Sequence, residues 1–72
     1  MLMIATVLRA RPFNLLVRDH ATWRNVVVHT PTAQRFFPGD LVRIWYSGAM
    51  TQSLPPQITA IRIQRVCPGN QC

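Results

Sequence analysis

Apolar residues alternate with polar ones along several short runs of this chain, and turn-forming residues separate those runs. A period of two is the spacing of a half-buried β-strand. No window of eleven residues repeats its apolar positions at the spacing of a helix. The pattern therefore predicts an all-β chain, with strands over residues 2–9, 13–18, 23–30, 41–46 and 57–66.

The connections predict how these five strands are arranged. Pro31 ends the third strand, and residues 32–37 are expected to form at most one short helical turn. Three strands, a short connector and two more strands follow the order of the OB-fold, a five-stranded Greek-key barrel. Closing the sheet also removes exposed strand edges, which suits a chain of 72 residues with a small core. An SH3-like barrel is the alternative, but its one-turn helix usually precedes the last strand.

The chain is long enough for one domain, which we assign to residues 1–66, with a flexible tail at 67–72. Cys67 and Cys72 both lie in that tail, separated by four residues that favour a turn. Their spacing is compatible with free thiols or with a small disulfide loop. A metal site is not expected, because the two histidines that would complete four ligands are not at the spacing of a zinc finger.

The second and third strands are expected to form a hairpin, so their two faces can be matched by parity. A loop of four residues and a loop of two give the same faces. The inward face of this hairpin is predicted to consist of Phe13, Leu15, Val17, Val26 and Val28. The outward face is predicted to consist of Asn14, Leu16, Arg18, Trp23, Asn25, Val27 and His29.

The fourth and fifth strands can be oriented in the same way. An unpaired guanidinium inside a small barrel would cost several kcal/mol, so Arg43 is predicted to face outward, together with Trp45. Ile58, Ile61 and Ile63 are expected to anchor the fifth strand. Because Ile58 and Ile61 differ in parity, the pattern predicts a β-bulge near residue 59 or 60.

Charge restricts the functions that are open to this chain. It contains eight arginines, two aspartates, no lysine and no glutamate, for a net charge of +6. With only two side-chain carboxylates, an acid/base pair or a divalent-ion site is hard to build. We therefore expect neither enzymatic activity nor a cofactor. A basic surface suits nucleic acid, anionic lipid or acidic protein partners.

OB-folds usually bind oligonucleotides or oligosaccharides on the outer face of strands two and three. Cations that replace phosphate counterions and rings that stack on bases are the two components of single-strand binding. The residues predicted to contact single-stranded RNA or DNA are Arg9, Arg11, Arg18, Trp23, Asn25 and His29. The alternative is a protein-interaction or assembly module, including a homo-oligomer, whose arginines only keep the strands soluble.

Several other residues have structural interpretations. Phe36 and Phe37 are expected to plug an open end of the barrel, and Asp40 to accept backbone hydrogen bonds in a turn. His20 is expected to be a solvated turn residue. Thr51 and Ser53 are expected to bond to the backbone of their loop, although residues 50–53 could equally line a pocket.

Residues 39–48 follow the pattern G-D-x-V-x-I-x-Y-x-G, and residues 53–60 follow the pattern S-x-P-x-Q-x-x-A. With these two patterns in this order, residues 36–64 resemble small bacterial OB-fold domains of unknown function. The resemblance implies the barrel fold and no particular activity. The paired aromatic strand motifs of the cold-shock proteins do not occur in this sequence.

The apolar run at residues 1–8 is too short to cross a membrane, which takes about 20 residues. A secretory leader places its charges before the apolar run, whereas here Arg9 and Arg11 follow it. We therefore interpret this run as the first strand and expect a cytoplasmic protein without a membrane span.

Overall fold

A computed structural model describes residues 1–67, which form a closed barrel of five strands. A 3-10 turn at Ala33–Arg35 connects the third strand to the fourth. The strands are β1 (Leu2–Ala10), β2 (Asn14–Asp19), β3 (Asn25–His29), β4 (Leu41–Tyr46) and β5 (Gln57–Cys67). The predicted all-β barrel, with a single short helical turn between the third and fourth strands, is confirmed.

The strands follow the order β1-β2-β3-β5-β4 around the barrel, and β4 closes it by pairing with β1. β3 and β5 run parallel and pair over three positions, whereas the other neighbours are antiparallel. A register shift between Val7 and Arg9 bends β1. β1 pairs with β4 through residues 2–6 and with β2 through residues 5–10, so Ala5 and Thr6 have partners on both sides.

Alternate residues of every strand point into the barrel and form one apolar core. Leu15, Val17, Val26 and Val28 are buried as predicted. The prediction for Phe13 is wrong, because its side chain is 73% exposed. Phe13 precedes the start of β2, where its carbonyl accepts a hydrogen bond from the backbone of residue 30, so the strand alternation does not reach it.

A bulge in β5 changes which of its residues face inward. Ala60 pairs with Tyr46 and Arg62 pairs with Trp45, so Ile61 is the extra residue between them. Its side chain is 73% exposed, whereas Ile63, on the far side of the bulge, packs against the core. The predicted bulge is therefore present next to residue 60, but the prediction that Ile61 anchors the strand is wrong.

In β4, Val42 and Ile44 are fully buried and Arg43 is exposed, as predicted. Trp45 is half-buried on the outer face. The guanidinium carbon of Arg62 lies 5.5 Å from the centroid of its ring. This cation–π contact engages Trp45 within the fold.

The turn before β4 is organised by a buried carboxylate. Asp40 is 4% exposed, and its Oδ2 accepts hydrogen bonds from the backbone N–H of Phe37 and from Nε of Arg65, both at 2.9 Å. The structural role predicted for Asp40 is confirmed. Of the two phenylalanines predicted to plug the barrel, Phe36 is buried and Phe37 is exposed, so that prediction is half correct.

Side-chain hydrogen bonds shape the long loop between β4 and β5. Oγ1 of Thr51 accepts the backbone N–H of Gln57 at 2.9 Å, and the hydroxyl of Ser53 donates to the carbonyl of Pro55 at 2.9 Å. The Thr51 and Ser53 hydroxyls lie 2.6 Å apart. The loop-forming role predicted for these two residues is confirmed.

β5 continues one residue beyond the predicted strand, to Cys67. The rest of the predicted tail, and with it the pairing of the two cysteines, lies outside the described residues. Within residues 1–67, no helix has the length and apolar character needed to span a bilayer.

Candidate nucleic-acid interface

The outer face of the β2–β3 hairpin carries three cross-strand pairs. The antiparallel register places them on one side of the sheet, and they are Asn14 with His29, Leu16 with Val27 and Arg18 with Asn25. Arg18, Asn25 and His29 are exposed. The prediction that these three residues share an outward face is therefore confirmed, although their contact with a ligand stays a prediction.

An open cleft of about 400 Å³ lies across this face. Leu16 and Val27, both half-buried, contribute apolar surface to it. Its polar lining includes Arg11, Asn14, His29 and Gln57. The sequence reasoning placed Asn14 on this face without assigning it to the site, and it missed Gln57.

Gln57 reaches the cleft because β5 pairs with β3 in parallel, which brings it opposite Val27. Nε2 of His29 and Oε1 of Gln57 lie 2.8 Å apart, within hydrogen-bonding distance. This contact orients the imidazole at the edge of the cleft. The contact could not be predicted from the alternation within the β2–β3 hairpin, because Gln57 lies 28 residues from His29 in the sequence.

Arg9 and Arg11 extend the basic surface on the β1 side. Arg9 lies opposite Leu16 in the β1–β2 register, and so on the same outer face. Arg11 lies in the loop between the two strands, where its backbone N–H donates to the carbonyl of Asn14 at 2.9 Å. Both side chains are exposed, and their predicted contact with a ligand stays a prediction.

Trp23 lies in the hairpin turn and not in a strand, so the predicted start of the third strand at residue 23 is wrong. Its backbone N–H donates to the carbonyl of Asp19 at 2.7 Å, and Oδ1 of Asp19 accepts the N–H of Ala21 at 2.8 Å. This tight turn gives Trp23 a φ of +58°, in the left-handed region. Its side chain is 69% exposed, on the outside of the barrel as predicted.

One face of the Trp23 indole stacks on the imidazole of His20, with ring centroids 5.6 Å apart and 22° between the planes. His20 is half-buried, its ring lies 2.6 Å from Oγ1 of Thr6, and its backbone N–H donates to the carbonyl of Ile4 at 3.0 Å. The expectation of a merely solvated His20 is therefore wrong. Because the turn packs back onto β1, His20 supports the tryptophan.

A second cleft, of about 420 Å³, lies between the hairpin turn and the β4–β5 loop. Residues 50–53 line it, which agrees with the pocket considered for them as an alternative. Arg24 also lines it and is exposed. Arg24 precedes the start of β3 at Asn25, so it belongs to the hairpin turn, and the sequence analysis assigned it no role.

Four arginines lie on or around the hairpin, and their charges can be compared with the carboxylates of residues 1–67. Within residues 1–67 the ion pair that forms is Arg65 with Asp40. Asp19 is buried and engaged by the backbone of its own turn. Arg9, Arg11, Arg18 and Arg24 therefore have no carboxylate partner in the described part of the chain.

The same part of the chain contains no group of three His, Cys, Asp or Glu side chains placed to hold a metal ion. The groups that this surface presents are guanidinium charges, amide and imidazole hydrogen-bonding groups, and an exposed indole.

No protein-family model, no curated protein and no solved structure matches this chain. The resemblance to small bacterial OB-fold domains accordingly stays a prediction, and the functional argument rests on the chain's own residues.

Proposed function

We propose that this chain is a non-catalytic OB-fold module that binds single-stranded nucleic acid along the outer face of β2 and β3. The observation that carries the proposal is Trp23, held exposed in a left-handed turn among arginines that pair with no carboxylate of residues 1–67. The strand order β1-β2-β3-β5-β4 and the short turn between β3 and β4 support the OB-fold assignment. The proposal keeps the predicted cytoplasmic location.

The backbone of Trp23 is the strongest argument that its ring has a function. A residue with a Cβ loses about 1–2 kcal/mol in the left-handed region, where glycine is the usual choice. Most of the tryptophan, 69%, stays exposed, so packing within the fold does not account for the greater part of the ring. Strain of this kind persists at binding sites, where it positions a group for a ligand.

Charge supplies the second argument. Arg9, Arg11, Arg18 and Arg24 lie on or beside the hairpin, and a single strand laid across it would bring phosphates within reach of them. Each phosphate that is neutralised releases counterions, which drives binding and makes it depend on salt. The indole of Trp23 then offers a surface on which a base of any type can stack.

Polar side chains in the outer-face cleft complete the site. His29, Asn14 and Gln57 present donors and acceptors beside the apolar surface of Leu16 and Val27. Such groups suit the exposed edges of unpaired bases, which a duplex would hide. This favours a single strand over a double helix as the ligand.

A protein-interaction or assembly module is the second candidate. Large apolar side chains are exposed on β5 and in the loop that precedes it, notably Ile61 at 73% and Leu54 at 95%. A protein partner or a second copy of this chain would cover them. Light scattering decides this candidate, because a strict monomer with no bound protein would count against it.

The proposal is tested by fluorescence anisotropy with a labelled 12-nucleotide oligo-dT and oligo-U across a salt series. Four phosphate contacts to a single strand predict an affinity that falls about 50-fold between 50 and 200 mM salt. Trp23→Ala should weaken binding at least about 5-fold. Trp45→Ala is the matched control, since that ring is half-buried on β4 against Arg62.

A charge control uses single neutral variants on different faces. Arg18→Gln should reduce the salt slope by about 0.7, whereas Arg43→Gln, on the outer face of β4, should leave it unchanged. Absence of binding by the unmodified chain at 50 mM salt would refute the proposal. Equal effects of Arg18→Gln and Arg43→Gln would refute the location of the site.

A further inference from the structure

A third cleft, of about 460 Å³, opens at the end of the barrel between the β1–β2 loop and the segment that precedes β4. Its lining includes Arg9, Arg11, Pro12, Gln34, Phe37 and Pro38. None of the described residues that line this cleft carries a carboxylate, and the lining includes two guanidinium groups and one aromatic ring with large exposure. These are the groups that bind a phosphate and a flat base next to each other.

The ring of Phe37 is positioned without being buried. It is 63% exposed, whereas that of its neighbour Phe36 is 6% exposed and packs in the core. The backbone N–H of Phe37 donates to Oδ2 of Asp40, and the guanidinium carbon of Arg65 lies 5.9 Å from the centroid of the Phe37 ring. Arg65 is itself bound to Asp40, so one buried carboxylate orders both the backbone of Phe37 and the cation beside its ring.

This cleft adjoins the outer-face cleft of the proposed site. Arg11 lines both, from the loop between β1 and β2. A strand that lies along the β2–β3 face and leaves it past Arg11 therefore enters the end of the barrel beside Phe37. The guanidinium groups of Arg9 and Arg11 lie along that route, where a phosphodiester backbone would run.

From these observations we infer that an unpaired base of the bound strand stacks on Phe37, with its flanking phosphates on Arg9 and Arg11. The inference rests on the proposed function and extends its site from the sheet face to the end of the barrel. A ring that is already ordered loses little conformational freedom when a base stacks on it, which favours this position over a flexible one.

The test compares aromatic variants in the anisotropy assay, with 12-nucleotide oligo-dT at 50 mM salt. Phe37→Ala and Phe37→Leu should each weaken binding about 5-fold or more, because both lack a ring for stacking. Phe37→Leu keeps apolar volume and serves as the variant that preserves the fold. Phe37→Trp should retain affinity and give an indole emission that the oligonucleotide quenches.

Phe13→Ala is the matched control: its ring is 73% exposed and lines neither cleft, so this variant should bind within 2-fold of the unmodified chain. Unchanged binding by Phe37→Leu, together with loss in Trp23→Ala, would overturn the inference and leave the proposed function standing. Equal losses in Phe13→Ala and Phe37→Ala would also overturn it. If the unmodified chain binds no oligonucleotide at 50 mM salt, both fail.

Discussion

The strained turn at Trp23 makes a prediction about stability that is independent of any ligand. Two substitutions remove the indole, Trp23→Ala and Trp23→Gly, and they differ only in the presence of a Cβ. At a φ of +58° that carbon is unfavourable, so the two variants should not be equally stable. At an ordinary position inside a strand or helix, the glycine variant would be less stable than the alanine variant.

The magnitudes follow from the geometry. With 69% of the side chain exposed, the buried remainder of a tryptophan is about 80 Å², which contributes roughly 2 kcal/mol at about 25 cal/mol per Å². Both variants lose this contribution. The alanine keeps a left-handed penalty of about 1–2 kcal/mol, which glycine avoids while losing about 0.4–1 kcal/mol through its freer unfolded chain. Taking the middle of each range, Trp23→Gly should be about 0.8 kcal/mol more stable than Trp23→Ala.

Equilibrium urea unfolding followed by far-UV circular dichroism measures this difference, and equal m-values would show that the unfolded states are comparable. Both variants should lose oligonucleotide affinity to the same extent, since neither carries a ring. An alanine variant that matches or exceeds the glycine variant in stability would refute the argument that the turn holds Trp23 against its backbone preference.

Two further predictions concern the buried groups. Asp40→Asn should lower the free energy of unfolding by about 1–3 kcal/mol in urea, because the carboxylate serves both the Phe37 N–H and the Arg65 side chain; a loss below about 0.5 kcal/mol would contradict that role. Leu15→Ala should cost about 2–5 kcal/mol, since Leu15 is fully buried, while Phe13→Ala should stay within about 0.5 kcal/mol. If Phe13→Ala lowered the free energy of unfolding as much as Leu15→Ala does, Phe13 would belong to the core.

The alternation of side chains was sufficient to predict much of this barrel. The bounds of β4, the inward set around Leu15 and Val28, and the outward direction of Arg43 all follow from it. These features are local, since successive residues of a strand point to opposite faces whatever the strand pairs with. The high cost of an unpaired internal charge then settles which face is which.

Only the tertiary structure decided which aromatic residues are buried and which reach the surface. Phe13, Phe36 and Phe37 look equally apolar in the sequence, yet of these three only Phe36 enters the core of the closed barrel. The outward position of Ile61 depends on the bulge opposite β4.

The candidate site shows the same division. The basic hairpin face could be predicted from parity, because β2 and β3 are neighbours in the chain. The approach of Gln57 to His29 and of Phe37 to Arg11 joins segments distant in sequence. Such contacts form only when the barrel closes. Closure therefore joins the outer face of β2 and β3, which could be predicted, to the cleft at the end of the barrel, which could not.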